Sequence, residues 1–438
     1  MMTKYQIQGN QMNAHKEKIL LLLKYEQVWE TQYVEALSHE FEVEIIYADE
    51  LLRLYGSRYL ISSINKKLSD DSINIIFIEV DFYPAIDAWF IKSIIDVKKI
   101  MFSFDDLMFH ERNAITAAGG MCDLVLTADP VSVLKYEEKL INAHLIFNDS
   151  TLPDYSVKDI NQKYNDVLFF GLTSKGDRSI FIDYLKNNGI NVKVVGDKER
   201  ISQENLLKEI RSSKIILNLS KSSDTITNLM YGYVKYDVFP FLLQFKLRII
   251  EAGLNGSACV SEYTPALRLM FSEQELPTYK TKEECLDIIR ELLNNEELLD
   301  SFEKNLCKAV IEKYESKPLM NAVAKKIENA FHSEINLNMP RWYYLETLKA
   351  RIKITHYKNP IIGPFKELCS FHYPSKHWYS WQNLYLFKNS LFEIIRQCLV
   401  FYFKSILNSI HKGIGAFKLV SIRIIKKGFR ILKGKRTL

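Results

Sequence analysis

Short apolar runs alternate with helix-length stretches twice along this chain, and no other feature constrains its fold as tightly. In the first half the runs are Ile19–Leu23, Val43–Tyr47, Ile73–Ile78, Ile100–Phe104, Leu124–Thr127 and His144–Phe147. Residues 27–40, 57–69, 84–95, 108–119 and 130–141 lie between them and read as helices. Apolar runs of this length, spaced by helices, are strands covered on both faces, as in a parallel sheet. A turn-rich interval from Asn148 to Gln162 interrupts the pattern and marks a crossing between domains. Alternation then resumes, with strands at Asp166–Phe170, Asn191–Val195, Ile215–Leu219 and Ala258–Ser261. Helices are expected near 177–188, 202–212, 241–255, 264–271, 281–294, 296–314 and 318–332. The expectation is an α/β chain of two doubly wound, Rossmann-like domains facing across a cleft, with ligands at the carboxyl ends of the strands.

Charge adds a third part. The 438 residues carry a net charge of only +5. Residues 341–438, however, hold 19 Lys/Arg against 3 Asp/Glu, which leaves 39 of the 58 basic and 50 of the 53 acidic residues for the rest. A basic module on an acidic body follows. The organisation read from the sequence is a mobile tail at 1–16, a first α/β domain at 17–150, a second at 151–338, and a basic aromatic and amphipathic helical module at 339–438. In that module Leu391, Ile394, Ile395, Cys398 and Leu399 share one helical face. Such a face beside lysines and arginines can lie against an anionic membrane surface through 391–438, or pack on the acidic body. No RRM, KH or zinc-finger pattern is present, and nucleic acid is not an expected partner. Six scattered cysteines without a CxxC pair indicate neither a zinc ribbon nor a disulfide framework. The polar start of the chain and the lack of ~20 uninterrupted apolar residues point to a cytoplasmic protein, with a peripheral place on the inner face of the cytoplasmic membrane as the module's option.

Candidate ligand residues gather in the second domain. The stretch from Phe239 to Gly256 reads as a helix begun at Pro240 and stopped at Asn255-Gly256. On it Phe245, Ile249 and Ala252 make an apolar stripe, and Gln244, Arg248 and Glu251 a polar one of the same spacing. A polar row kept in the middle of an α/β domain points to a polar ligand. A guanidinium pairs with phosphate, a carboxylate accepts from both hydroxyls of a ribose, and a helix N-terminus offers free N–H groups. A solvated face with an Arg248/Glu251 pair is the alternative. Upstream, Phe169-Phe-Gly-Leu-Thr-Ser-Lys-Gly-Asp-Arg178 is a strand, a loop and a helix start. Gly171 and Gly176 permit close backbone approach, and Thr173, Ser174, Lys175 and Arg178 can donate to a phosphate, although the P-loop spacing is absent. Asn218, Ser220 and Lys221 end another strand and either border the same ligand or serve an ordinary turn. In the first domain, Phe102-Ser-Phe-Asp-Asp-Leu-Met-Phe-His110 places Asp105 and Asp106 after an apolar strand, with His110 one helical turn on. Any of the three suits a base acting on a hydroxyl, and Asp106 is equally placed to cap a helix. With no D-x-D triplet, no metal site is expected.

The segment Gln244-Phe-Lys-Leu-Arg-Ile-Ile-Glu-Ala-Gly-Leu-Asn-Gly256 resembles the Q-x-K-x-R-x-x-E-A-x-x-x-G region of group 1, GT-B-class glycosyltransferases, and within them the spore-maturation, CgeB-like family. Pro277 to Leu293 resembles that family's short strand and helix, and Glu296 to Lys317 its long helix. The resemblance implies that Glu251 holds a nucleotide ribose and that nearby basic residues, among them Lys246, Arg248 and the Gly171–Arg178 loop with Lys175, hold a diphosphate. It implies a nucleotide-diphosphate sugar as donor substrate, with no further cofactor. It also implies a glycan, lipid-linked or protein acceptor entering from the first domain, in cell-envelope or surface polysaccharide biosynthesis. One position departs: many retaining members carry a second Glu eight residues earlier, where this chain has Leu243. That departure leaves open a non-catalytic assembly protein on the same scaffold. A nucleotide-sugar epimerase, which shares the two-domain layout, is a further alternative.

Overall fold

The computed structural model describes residues 16–26, 28–80, 85–104, 106–147, 163–174, 177–197, 199, 201–221, 243–331, 340, 342, 343, 347, 350 and 351. Among them are two parallel sheets. The first contains β1 (Glu17–Leu23), β2 (Phe41–Tyr47), β3 (Ile75–Glu79), β4 (Lys98–Ser103), β5 (Leu124–Thr127) and β6 (Ala143–Leu145), in the order β2-β1-β3-β4-β5-β6. Its helices are α1 (Val28–Ser38), α2 (Ala48–Tyr55), α3 (Ser57–Asp70), α4 (Ala88–Lys92), α5 (Asp106–Gly120) and α6 (Pro130–Glu137). The second sheet contains β7 (Asn165–Phe170), β8 (Val192–Val195), β9 (Ser213–Asn218), β10 (Ala258–Glu262) and β11 (Thr278–Tyr279), in the order β11-β10-β9-β7-β8. With it come α7 (Arg178–Asn187), α8 (Gln203–Arg211), α9 (Arg248–Leu254), α10 (Pro265–Met270), α11 (Lys282–Asn294), α12 (Glu296–Tyr314) and α13 (Ser316–Glu328).

The apolar runs explain this architecture. Ile19 to Leu23 are all buried, and Ile19 pairs with Val43 on one side and Ile75 on the other. A strand with apolar residues at successive positions must be covered on both faces, which parallel crossovers through helices achieve. In the second sheet β7 lies between β8 and β9, so the chain leaves β7 in one direction and returns on its other side. The loops at the carboxyl ends of β7 and β9 therefore diverge and open a crevice. Across the seam between the sheets, the Phe147 ring packs on Phe245 (5.6 Å) and Tyr314 (5.8 Å), and Tyr314 on Phe271 (5.5 Å). The last helix, α13, returns to the first sheet. There Lys98 Nζ donates to the carbonyls of Ile327 (2.6 Å) and Glu328 (2.8 Å), satisfying groups that a helix end leaves open.

Residues 1–48 and 61–340 form one compact unit holding both sheets, and residues 49–60 group with 341–438 in another. The expected tail at 1–16, the crossing at 148–162 and most of the module at 339–438 lie outside the described residues. Among the described residues, no helix is long and apolar enough to cross a membrane. The expected helix over 241–255 is corrected: α9 begins only at Arg248. Leu243 forms an antiparallel bridge with Lys221, and the Gln244 N–H donates to the Ser220 carbonyl (3.1 Å). Pairing with the end of β9 thus engages the main chain that the helix would have used. Gln244 and Lys246 sit on an extended strap, and only Arg248 and Glu251 of the expected polar row share a helix.

Helix α9 packs closely on α12 because residue 253 has no side chain. A Cβ on Gly253 would lie 2.6 Å from Val310 Cγ2 and 3.2 Å from Leu306 Cγ. In Gly253→Ala, overpacking of about 1–3 kcal/mol opposes a helix-propensity gain of about 1 kcal/mol. A lower urea midpoint is expected; an unchanged or raised midpoint would show that α12 yields to the methyl group.

Candidate functional site

Gly171, Asn218 and Arg248 come together at the carboxyl ends of β7 and β9, and Glu251 lies one helical turn beyond Arg248 on α9. Arg248 Nε donates to the Phe170 carbonyl (2.7 Å), Nη1 approaches Asn218 Oδ1 (3.4 Å), and the guanidinium lies over the rings of Phe169 (5.0 Å) and Phe170 (5.4 Å). Gly171 is required twice over. Its φ is +116°, and a Cβ there would stand 2.6 Å from Arg248 Nη2. Asn218 is held so that its oxygen faces the guanidinium: its Nδ2 donates to Ser261 Oγ (2.9 Å), and Tyr279 Oη donates to its carbonyl (3.0 Å).

Arg178, expected to contact phosphate, is buried, and its fork holds the loop together. Nη1 donates to the Leu172 carbonyl (3.1 Å) and Nη2 to that of Lys221 (3.0 Å), while Nε is buried without a partner. Lys221 Nζ pairs with Asp177 (2.8 Å), and Lys246 Nζ donates to Gln244 Oε1 (2.6 Å). Lys175 and Gly176 lie outside the described residues, as does Asp105. Sequence reasoning missed Glu262, whose Oε2 accepts the N–H groups of Ser220 (2.9 Å) and Lys221 (3.1 Å) and so shapes the turn after β9. Its signal was a carboxylate closing an otherwise apolar strand.

Two guanidiniums stand here, and the acids near them act only at a distance, Glu262 and Asp177 on Arg178 and Glu251 on Arg248. Burial, and then repulsion from Arg178, push Arg248 down to about 10. Burial pushes the Glu251 carboxyl up to about 6, against the attraction of Arg248. Among the described residues, Arg248 makes no ion pair within 4.0 Å, and the half-buried Glu251 carboxylate makes no hydrogen bond. Charged and polar groups enclosed in this way are stable only weakly until an anion and hydroxyl donors meet them. Beside them, Thr173, Gly196, Asp197, Ser202 and Asn205 line part of a groove of about 1000 Å³, at the upper end of the size range of small-molecule sites.

The first domain has the opposite character. Asp106, the first residue of α5, is fully buried, and both of its oxygens are engaged. His110 Nδ1 lies 3.1 Å from Oδ2, while Asn113 Nδ2 (2.8 Å) and Tyr136 Oη (2.6 Å) donate to Oδ1. Burial alone would raise this carboxyl, but the bonds from His110, Tyr136 and Asn113 outweigh it and hold it below the usual range. The expectation of Asp106 as a direct base is corrected, because it has no oxygen turned to a substrate and instead orients His110. The other ring nitrogen, His110 Nε2, is buried and has no hydrogen-bond partner. Among the described residues, no group of three or more His, Cys, Asp or Glu side chains could hold a metal ion.

Two facing parallel α/β domains, with a ligand crevice at the strand ends of the second, define the GT-B architecture. A glycosyl transferase-like family matches residues 178–325. Comparison with curated proteins finds no match. Among solved structures the chain is similar to sucrose-phosphate synthase from Thermosynechococcus elongatus, at 11% identity and TM-score 0.51, covering 72% of this chain and 99% of that one. It is equally similar to a glycosyltransferase from Rickettsia africae, at 11% identity and TM-score 0.51, covering 72% and 98%. A trehalose-6-phosphate synthase aligns at 7% identity and TM-score 0.50, covering 73% and 100%. At such identities these likenesses establish the fold.

The raised carboxyl of Glu251 has a thermodynamic consequence. An acid held above its ordinary 4.5 when folded contributes stability that is present below 4.5 and lost as pH rises through about 6. Glu251→Gln should therefore be more stable than the wild type above pH 6, by about 1–2 kcal/mol, with the difference vanishing below pH 4.5. Urea titrations across this range check it; a difference independent of pH would show that Glu251 is solvated.

Proposed function

We propose that this protein is a glycosyltransferase that moves a sugar from a nucleotide-diphosphate donor to an acceptor hydroxyl. One observation carries the reading: among the described residues, Arg248 meets the Gly171 turn with no ion pair within 4.0 Å, and Glu251, one helical turn further along α9, has no hydrogen bond on its carboxylate. A ribose 2′,3′-diol donates to Glu251, and the diphosphate lies toward Arg248, Lys246 and Lys175, where positive charge stabilises it as a leaving group. Gln244 and Asn218 border it, Arg178 holds the loop that meets it, and the groove beside Gly196 has room for the base. The match of residues 178–325 to a glycosyl transferase-like family supports the same assignment.

On the acceptor side, His110 Nε2 takes the proton of the attacking hydroxyl, and Asp106 on Nδ1 stabilises the imidazolium that results. Asp105, the preceding residue in the chain, is the alternative base. The acceptor is a glycan, a lipid-linked intermediate or a protein in envelope or surface polysaccharide synthesis, consistent with the CgeB-like resemblance. Leu243 favours one rival reading, a scaffold protein that binds nucleotide without transfer, because it leaves the donor sugar without the second carboxylate of many retaining enzymes.

Calorimetry with UDP, GDP and dTDP tests donor binding, and a mass-detected screen of their sugars tests transfer. Glu251→Ala should weaken nucleotide binding about 10–100-fold, the value of a lost charged hydrogen bond of about 1.5–3 kcal/mol. His110→Ala should lower kcat by about 10²–10⁴-fold with donor affinity retained. If no nucleotide binds, the transferase reading fails; if nucleotides bind and no sugar is transferred or hydrolysed, the scaffold reading replaces it.

The basic stretch 391–438 is proposed to hold the enzyme against an anionic membrane. Flotation of the full chain with phosphatidylserine vesicles should exceed that of a chain ending at 390. Equal flotation would remove the membrane contact.

A further inference from the structure

The groove beside Gly196 is continuous with the crevice at Arg248. The Gly171 N–H donates to the Val195 carbonyl (3.0 Å), and a Cβ on Gly196 would lie 3.7 Å from Gly171 N and 3.7 Å from Ile201 Cγ2. From that turn the groove runs beside α7, whose Ile182, Asp183 and Lys186 line it. Ile182, Val194, Val195 and Ile201 give it apolar walls, which suit the faces of a planar base. Asp183 and Lys186 are both exposed and stand three residues apart on one helix, so their side chains are neighbours. Even so, they form no ion pair with each other, and among the described residues neither has a hydrogen bond or another charged partner. Asp197, also on the groove, is already engaged: its Oδ1 accepts the Thr173 N–H (2.7 Å).

We propose that the base of the donor nucleotide is guanine, and that Asp183 and Lys186 read its Watson–Crick edge. This rests on the reading of the second domain as a nucleotide-sugar site. Guanine presents in a row one acceptor, O6, and two donors, N1–H and the 2-amino group. A carboxylate has two oxygens that only accept, and an ammonium has three hydrogens that only donate. Lys186 Nζ donates to O6 while the Asp183 oxygens accept from N1–H and the 2-amino group, so every group on the edge is matched. Uracil and thymine present one donor, N3–H, between two carbonyls, and the second carbonyl would face a carboxylate oxygen. Adenine offers one donor and one acceptor, which leaves a carboxylate oxygen unused. The diphosphate then lies at the Gly171 end of the groove, toward Arg248.

Calorimetry on the full chain with GDP, IDP and UDP tests the assignment, IDP being GDP without the 2-amino group. GDP should bind about tenfold or more tightly than either of the others, the factor that one hydrogen bond to a charged group supplies. Asp183→Ala changes an exposed helical position and should fold as the wild type does. It should weaken GDP about 10–100-fold, bring GDP and IDP to the same affinity, and leave UDP within about twofold. Glu199→Ala removes the same charge from the same groove and should keep the wild-type preference for GDP. UDP binding as tightly as GDP, or an Asp183→Ala variant that still separates GDP from IDP, would overturn the proposal and leave the transferase reading intact. So would an equal loss of the preference in Glu199→Ala, which is the mark of a general charge effect. If none of the three nucleotides binds, the functional reading falls, and this assignment falls with it.

Discussion

The contact of the Arg248 guanidinium with the Phe170 carbonyl joins three pieces of chain that are far apart in sequence. It fixes the start of α9 against the end of β7 and brings Asn218, at the end of β9, to the same point. Much of the local sequence follows from it. The residue after Phe170 must be glycine because the guanidinium occupies the space of a side chain. The rings of Phe169 and Phe170 suit a weakly hydrated planar cation that a lysine would not replace. Glu251 stands one turn further along α9, so the same anchoring fixes its height on the helix. A half-buried guanidinium bonded only to neutral oxygens is a costly arrangement for a domain that needs nothing but stability. Its retention beside a second buried arginine, Arg178, is the physical reason to look for an anion.

The two domains solve the problem of buried charge differently. Both oxygens of Asp106 are matched, by His110, Asn113 and Tyr136, and the network is left open only at His110 Nε2 and Asn113 Oδ1. Around Arg248 and Glu251 the matching among the described residues is incomplete: the guanidinium meets only neutral oxygens, and the carboxylate accepts no hydrogen bond. A buried network that holds one side of an imidazole and leaves its other nitrogen open suits a group that must act on a proton. An unfinished one suits the binding of a charged molecule that arrives and leaves.

The strands were legible in the sequence because each is apolar at successive positions, a pattern that depends on burial of both faces and on nothing distant. Arg248 and Glu251 were legible because a polar pair in that setting has few structural uses. The strap was not. Leu243, Phe245 and Leu247 stand at spacings that a helix also accepts, and only Lys221 and Ser220, more than twenty residues upstream, draw the segment into a bridge. The same reason hid Glu262 and Tyr136. Glu262 bonds main chain 41 and 42 residues away, and Tyr136 reaches a carboxylate 30 residues away. Local pattern reports periodicity, whereas these roles are set by what the crossovers place opposite. Asp106 shows the intermediate case: its position at a helix start was evident, but its enclosure by three side chains was not.

The strap also bears on how two domains can share one site. Its residues belong to the second domain by chain order, but Phe245 is packed by Phe147 of the first, and Phe147 is packed in turn by Tyr314 at the end of α12. Helix α13 then returns to the first sheet, where Lys98 holds its last carbonyls. The seam is therefore fastened at an aromatic cluster on one side and at a helix end on the other. The strap is bonded beyond the end of β9 and α9 to the end of β7, both in the second sheet, so the packing of Phe245 on Phe147 is what ties this segment to the first domain.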